Sequence, residues 1–136
     1  MLNPGDYSLA DLTISTALTA VAQTPITDLE GIKACDIAVD FAGGTGGTSC
    51  KVWIQTSFDG GTRWIDIKNF AFANTAARKG INLSALTPVT TAVTLTDGTM
   101  ADDAVQDGFL GAALRAKITS VGTYSNTTLS VKINVK

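Results

Sequence analysis

Apolar and polar residues alternate along most of the chain, and short segments containing Gly or Asn separate the alternating stretches. A period of two places successive side chains on opposite faces of a strand, so each stretch predicts a β-strand with one buried face. The alternation is clearest in residues 114–119 and 129–136, which predict an antiparallel hairpin turning at 121–126. The side chains expected to be buried together are Leu114, Ile118, Leu129, Val131 and Ile133.

Two further hairpins are predicted earlier in the chain. The first joins residues 33–41 to Ser49–Ser57 through the glycine-rich segment 43–47. The second continues through Asp59-Gly60-Gly61 into residues 64–72. Glycine adopts positive φ at little cost, which tight hairpin turns require. A Thr-rich stretch at 12–21 predicts one more strand.

The middle of the chain has a less regular pattern. Residues 74–80 are typical of a loop or one helical turn, and 89–95 of a short strand. Another helical turn is predicted at 99–108, with Thr99 as the N-cap and Gly108 at its end. About six to eight short strands predict an all-β fold, namely an antiparallel β-sandwich, with a jelly roll or small barrel as alternatives. This single domain is expected at 12–136, after an irregular N-terminal arm at 1–11.

Charged residues make up 16% of the 136 residues, against about 25% in a typical soluble domain. A small domain has a large surface to cover, and few charges are present to cover it. Either Thr, Ser, Asn and Gly supply the polar surface, or part of the surface is buried against other subunits.

The charge balance argues against a nucleic-acid partner, and the N-terminal pattern argues against a membrane span. Net charge is −2 and the isoelectric point is about 4.8, whereas nucleic-acid binding relies on clustered Lys and Arg. Arg78-Lys79 is the one adjacent basic pair. The first basic residue is Lys33, and polar residues interrupt the apolar positions before it, so neither a signal peptide nor a membrane span is predicted.

No catalytic, cofactor-binding or metal-binding residue is predicted. The chain contains no histidine, which removes the usual general base, the Ser-His-Asp triad and imidazole metal ligands. The glycine-rich segment 43–47 is not followed by the Lys-Ser/Thr of a phosphate loop. An acidic group lacks the ligand spacing of a calcium loop, so its members are expected to lie in a solvated loop as helix-capping carboxylates: Asp97, Asp102, Asp103 and Asp107.

The two cysteines are predicted to be buried free thiols. The register of the hairpin joining 33–41 to Ser49–Ser57 places Cys35 and Cys50 about 20 Å apart. A disulfide requires Cα atoms within about 7 Å of each other. Both residues also lie in phase with apolar neighbours.

The sharpest local motif is the stretch from Ser57 to Trp64, Ser-Phe-Asp-Gly-Gly-Thr-Arg-Trp. It resembles the Asp-box, Ser-x-Asp-x-Gly-x-Thr-Trp, of sialidase-type propellers and other β-proteins. Arg63 stands in place of the Thr, and the matching positions are Ser57, Asp59, Gly61 and Trp64, with Gly60 inside the turn. The resemblance implies a structural turn in which the Asp closes on backbone amides and the Trp packs beneath it.

A wider combination of motifs covers roughly residues 50–135. The hairpin Gln55-Thr56-Ser57-x-Asp59-Gly60-Gly61-x-x-Trp64 precedes Phe70-Ala71-Phe72; later come Leu110-Gly111-x-x-Leu114-Arg115-x-Lys117, Gly122-Thr123-Tyr124 and a closing Val/Ile strand. This pattern is similar to small β-rich structural proteins of tailed bacteriophages, notably head-decoration or cement proteins. The resemblance implies a non-enzymatic virion protein, made in the bacterial cytoplasm, that binds the major capsid protein on the outer surface of the head. It also implies contact with copies of itself, often as a trimer.

Two other functional classes remain as alternatives. A phage tail or neck component uses similar small β-domains, and a carbohydrate-binding module would use Trp53, Trp64 and Tyr124 as stacking platforms. Trp53 lies on the nominally wet face of its strand, which predicts either a second packed layer or an interface. Tyr7 in the N-terminal arm is the other candidate interface residue.

Overall fold

The computed structural model describes residues 3–136, which form ten β-strands and no helix. The strands are β1 (Gly5–Ile14), β2 (Leu18–Ala22), β3 (Ala34–Ala42), β4 (Thr45–Gly46), β5 (Ser49–Ser57), β6 (Ile65–Phe72), β7 (Ala77–Ser84), β8 (Ala113–Val121), β9 (Tyr124–Ser125) and β10 (Thr127–Val135). The all-β prediction is confirmed. The predicted helical turns are wrong for the described part of the chain.

Two four-stranded antiparallel sheets form a β-sandwich. Sheet A has the strand order β1-β10-β3-β7, and sheet B has the order β2-β8-β5-β6. Inward-facing residues of both sheets belong to one hydrophobic cluster. The five side chains predicted to be buried together all lie in this cluster, which confirms the phase of the two alternating stretches.

Two of the three predicted hairpins are wrong in their pairing. β8 pairs with β2 and β5, whereas β10 pairs with β1 and β3, so the chain crosses from one sheet to the other between them. β3 and β5 also lie in different sheets. Alternation defines which face of a strand is buried, but two strands facing each other across a core have the same pattern as two paired strands. The β5–β6 hairpin is confirmed.

The two crossing segments meet each other. β4 lies in the connection from β3 to β5 and β9 in the connection from β8 to β10, and the two form a short antiparallel ladder. Tyr124 of β9 is buried against the core cluster. The glycine-rich segment 43–47 is therefore a crossover between sheets and not a hairpin turn.

The N-terminal arm predicted at 1–11 is wrong for residues 5–11. β1 begins at Gly5, pairs with β10 and places Leu9, Ala10 and Ile14 in the core. A β-bulge between Ser8 and Ala10 puts two consecutive residues on the buried side, which hid the period of two. The strand crosses the proposed domain boundary at residue 12, and residues 1–2 lie outside the described part.

Three other sequence expectations are corrected. The strand predicted at 12–21 is divided between the end of β1 in sheet A and β2 in sheet B. Residues 77–80 belong to β7, and residues 89–95 form no strand. Residues 85–112, which we call the long loop, connect β7 to β8 without regular secondary structure beyond isolated bridges.

Candidate interaction surface

The long loop covers the outer face of sheet B, the face turned away from the core. Along β6 and most of β5, consecutive residues are buried, which means that both faces of these strands are covered. On the outer face, Trp53 is 8% exposed, and its indole Nε1 donates a hydrogen bond to the carbonyl oxygen of Met100 (3.0 Å). The second packed layer over Trp53 is therefore part of the same domain.

Asp66 of β6 is the main attachment point of the long loop. Its side chain is 2% exposed, and its carboxylate accepts hydrogen bonds from two side chains and three backbone amides. The donors are Gln55 Nε2 (2.8 Å), Thr96 Oγ1 (2.8 Å), Gly98 N (2.8 Å), Thr99 N (3.1 Å) and Met100 N (3.2 Å). A buried carboxylate is stable only when its oxygens are satisfied in this way.

Gln55 connects this carboxylate to the charged residues of β8. Its Nε2 also donates to Asp97 Oδ1 (2.6 Å), while its Oε1 accepts from Arg115 Nε (2.7 Å). Lys117 Nζ donates to Asp97 Oδ1 at 2.9 Å. The guanidinium of Arg115 lies 4.3 Å from the ring centroid of Trp64, a cation–π contact. The polar groups of β5, β6, β8 and the long loop therefore form hydrogen bonds and ion pairs with one another.

A second attachment covers the edge of β6. The side-chain Oδ1 of Asn69 accepts from Asp103 N (3.0 Å), and Lys68 Nζ donates to the Asp103 carbonyl oxygen (2.8 Å). Backbone hydrogen bonds join Asn69 N to Ala104 O (3.0 Å) and Gln106 N to Ile67 O (2.9 Å). The loop thus pairs with an edge that would otherwise be open to other chains.

The predicted acidic group takes part in these attachments, three of its members through hydrogen bonds and Asp102 through a surface ion pair with β5. Asp97 and Asp103 bind sheet B, and Asp107 accepts from Ser84 N (2.7 Å) and Thr87 Oγ1 (2.8 Å) where the loop begins. Asp102 is exposed and forms an ion pair with Lys51. The expectation of a solvated loop with helix-capping carboxylates is wrong for the other three, which bind strands and loop residues where the described part of the chain has no helix.

Acid should loosen the long loop. Burial opposes ionisation of Asp97, Asp103 and Asp107, but hydrogen bonds to each outweigh it, from Lys117, Ala71 N and Ser84 N respectively, so the pKa of each carboxyl is lowered from its usual 3.8. A carboxyl group whose pKa is lower in the folded than in the unfolded protein stabilises the fold at pH values above its ordinary pKa. This stabilisation is lost as the pH falls through the folded-state pKa. We expect the midpoint temperature of thermal unfolding to decrease when the pH is lowered below about 4.

One variant tests whether these carboxyl groups cause the loss of stability in acid. D103N should be less stable than the wild type near neutral pH and should lose less stability on acidification, because one of the three carboxylates no longer titrates. Thermal unfolding followed by circular dichroism between about pH 7 and about pH 3 measures both effects. A wild-type midpoint as high at the acidic end as at neutral pH contradicts the attachment scheme.

The Asp-box-like turn joins β5 to β6 through hydrogen bonds within the turn. Asp59 Oδ1 accepts from Arg63 N (2.8 Å) and Ser57 Oγ, and Ser57 Oγ accepts from Gly61 N (2.9 Å). These bonds, the Arg63 amide first, lower the pKa of Asp59. Trp64 lies next to Gly61 on one side and Arg115 on the other.

Alanine at Gly60 should cost about 1 kcal/mol, because its φ of +71° is unfavourable for a residue with a Cβ. A Cβ there would meet nothing within 4 Å, so no steric clash adds to this cost. The matched control is T62A in the same exposed turn, which should stay within about 0.5 kcal/mol of wild type. Urea denaturation compares the two, and equal stability of G60A and wild type would refute the turn assignment.

Both cysteines are free and fully buried, as predicted, although the hairpin geometry behind that prediction is wrong. Cys35 lies on β3 in sheet A and Cys50 on β5 in sheet B, so they are not separated along one hairpin. Burial raises the pKa of each thiol to about 12, and Asp36 adds to the effect at Cys35. Neither is poised as a thiolate nucleophile at neutral pH.

The remaining sequence candidates are dispersed. Tyr7 is half-buried in β1 opposite Ile133 and packs against the core. Of the three proposed sugar platforms, Trp53 and Tyr124 are buried, and Trp64 is half-buried beside Arg115. Within residues 3–136, no three His, Cys, Asp or Glu side chains are grouped to hold a metal ion. No helix in that range is long and apolar enough to cross a membrane.

The two exposed surfaces differ in charge. The outer face of sheet A carries ion pairs, including Lys136 with Asp36 (2.6 Å) and Arg78 with Asp40 (3.6 Å), and has a shallow depression between β1, β10 and β3. The long loop, in contrast, exposes every residue from 86 to 95, and none of them is charged. We call residues 86–95 the uncharged segment. Its most exposed apolar side chain is Leu86, at 73%.

No protein-family model matches the sequence, and no curated protein matches it significantly. A functional assignment therefore rests on the sequence resemblance and on the geometry of the chain.

Proposed function

We propose that this chain is a non-enzymatic structural protein of a tailed-phage virion that decorates the outer surface of the head and stabilises it. The sequence resemblance over roughly residues 50–135 suggests the class. The observation that carries the proposal is the use of the buried polar groups: Asp66, Gln55 and Asn69 are engaged in fixing the long loop to sheet B.

A fixed loop suits a binding scaffold. A mobile loop loses conformational freedom when it binds, whereas the part of the long loop attached at residues 96–107 is ordered on folding and presents its contact surface without that loss. The uncharged segment also lacks the long charged side chains that interface cores disfavour. The expected partners are the major capsid protein and other copies of the chain, in particles assembled in the bacterial cytoplasm.

The direct test adds the purified chain to genome-filled heads that lack it. We expect saturable co-sedimentation with heads and a higher temperature of DNA release, measured with a DNA-binding dye. D66A, which loosens the long loop, should bind more weakly than wild type. D102N, a change at an exposed Asp of the same loop, is the matched control and should bind like wild type.

The outcomes separate the candidate functions. Binding to tails or necks but not to heads would replace the proposal with the tail or neck alternative. Binding to neither, with no change in the temperature of DNA release, would contradict a role in the virion shell.

A further inference from the structure

Part of the uncharged segment has a backbone without attachments. Among the described residues, none forms a hydrogen bond with the backbone of residues 88–95, which we call the free stretch. All of its side chains are exposed. Exposed loop tips with small or polar residues are preferred sites of proteolytic cleavage. The free stretch can enter the active site of a protease without breaking any hydrogen bond of the fold.

The chain is held on both sides of the free stretch. Before it, Asp107 accepts hydrogen bonds from Ser84 N (2.7 Å) and Thr87 Oγ1 (2.8 Å). After it, the carbonyl oxygen of Thr96 accepts from Asp66 N of β6 (2.8 Å). The accessible backbone is therefore limited to the free stretch, and a cut there would leave both new ends beside fixed positions.

The residue types of the free stretch select a class of protease. No Lys or Arg occurs between Lys79 and Arg115, so a trypsin-like protease has no site in the long loop. The free stretch instead contains Val89, Ala92 and Val93, which are small aliphatic residues. Elastase-type serine proteases, whose specificity pocket is small, accept such residues directly before the cut.

A cut in the free stretch would leave two pieces that are interleaved in both sheets. The C-terminal piece contains β8, which lies between β2 and β5 in sheet B, and β10, which lies between β1 and β3 in sheet A. This piece also supplies core residues from both strands: Leu114, Ile118, Leu129, Val131 and Ile133. Each piece alone would expose the apolar face that the other covers, so burial of the core holds the two together.

We propose that the free stretch is a processing site, at which an elastase-type endoprotease hydrolyses one peptide bond of the folded chain and leaves both pieces in one domain. Water adds to the carbonyl carbon and the C–N bond breaks. The new ends are a carboxylate on the N-terminal piece and an ammonium group on the C-terminal piece. The protease supplies the catalytic groups and the solvent supplies the water.

The freedom of the backbone, and not the exposure of the side chain, distinguishes this site. Val121 at the end of β8 is 50% exposed and Val93 is 38% exposed. The backbone of Val121 is nevertheless held, because its carbonyl oxygen accepts from Thr48 N (2.8 Å) and it pairs with Ser49 of β5. Cleavage there requires local opening of β8, which costs free energy that cleavage in the free stretch does not. Val121 is therefore a matched control within the same chain.

Brief digestion of the purified wild-type chain with pancreatic elastase tests the site. Mass spectrometry should place the first cut within residues 88–95 and find none at Val121. Native mass spectrometry should detect both fragments in one complex, heavier than the uncut chain by one water per copy, and denaturant should separate them. The circular dichroism spectrum should match that of the uncut chain.

Two variants test the same difference with another protease. V93R introduces an arginine into the free stretch, and V121R introduces one at the end of β8. Both positions are more than a third exposed, so the fold should be retained, which circular dichroism checks. Trypsin should cut V93R at the introduced arginine about a hundredfold faster than it cuts V121R at its own.

Three results would overturn the inference: a first elastase cut outside residues 88–95, equal trypsin rates at the two introduced arginines, or fragments that separate without denaturant. The experiments use the purified chain without heads, so this inference and the proposed function fail separately. A chain that is cut as expected but does not bind heads contradicts the proposed function. A chain that binds heads but resists elastase contradicts the processing site.

Discussion

Replacing Asp66 by Ala should lower the free energy of unfolding by about 3 kcal/mol. The substitution leaves Gly98 N, Thr99 N and Met100 N without their acceptor in a site that is 2% exposed. Each buried donor without a partner costs about 1–3 kcal/mol, and the loop recovers part of this by moving towards water. Urea denaturation followed by tryptophan fluorescence measures the change, because the long loop covers Trp53.

Two further variants separate the role of Asp66 from general effects of substitution. D66N keeps the volume but turns an NH2 group towards N–H donors, so it should be nearly as unstable as D66A. D102N removes a carboxylate that is 56% exposed and ion-paired at the surface, and it should change stability by less than about 0.5 kcal/mol. If D66A and D102N are equally stable, the long loop is not held by Asp66.

Replacing Gly46 by Ala should cost about 3 kcal/mol, more than the same change at Gly60. The two glycines have nearly equal φ, +78° and +71°, so the conformational cost is shared. A Cβ on Gly46 would overlap the carbonyl oxygen of Thr123, which is backbone and cannot rotate away. A Cβ on Gly60 meets nothing. The difference in the free energy of unfolding between G46A and G60A therefore measures the steric cost of the Cβ at position 46 alone.

The same pair of variants tests the contact between the two crossing segments. Gly46 pairs with Tyr124 where the connections between the sheets meet. Urea denaturation of both variants against wild type supplies the free energies. Equal costs for G46A and G60A would show that β4 and β9 are not in close contact.

The sequence predicts faces and strands better than it predicts partners. Alternation correctly placed Leu114, Ile118, Leu129, Val131 and Ile133 in one core. It failed at pairing because a strand's period of two is the same whether its neighbour lies beside it or across the core. The β5–β6 hairpin was predictable because the Asp59-Gly60-Gly61 turn is short and chemically specific.

The missed elements have identifiable physical causes. In β1, the bulge places both Leu9 and Ala10 on the buried side and breaks the alternation. In β7, Arg78, Lys79 and Gly80 obscure an apolar face that is only half-buried before Leu83. Neither strand is recognisable from its own residues without its neighbour in the sheet.

The attachments of the long loop were largely outside the reach of sequence patterns. Asp66 occupies the face of β6 that alternation predicts to be wet, and its partners in the loop are 30 to 34 residues away. One signal was present: Trp53 on the outer face indicated a second layer or an interface, and the structure contains the layer. The uncharged run at 80–96 is also visible in the sequence, but its exposure is not.

The position of the chain in assembled particles tests the proposed function most directly. If the proposal holds, cryo-electron microscopy of tailed-phage particles assembled with the chain should show the two-sheet domain on the outer surface of the head, in ordered contact with the major capsid protein. Particles in which this density lies in the tail or neck, or in which the chain is not found at all, would contradict the proposed function.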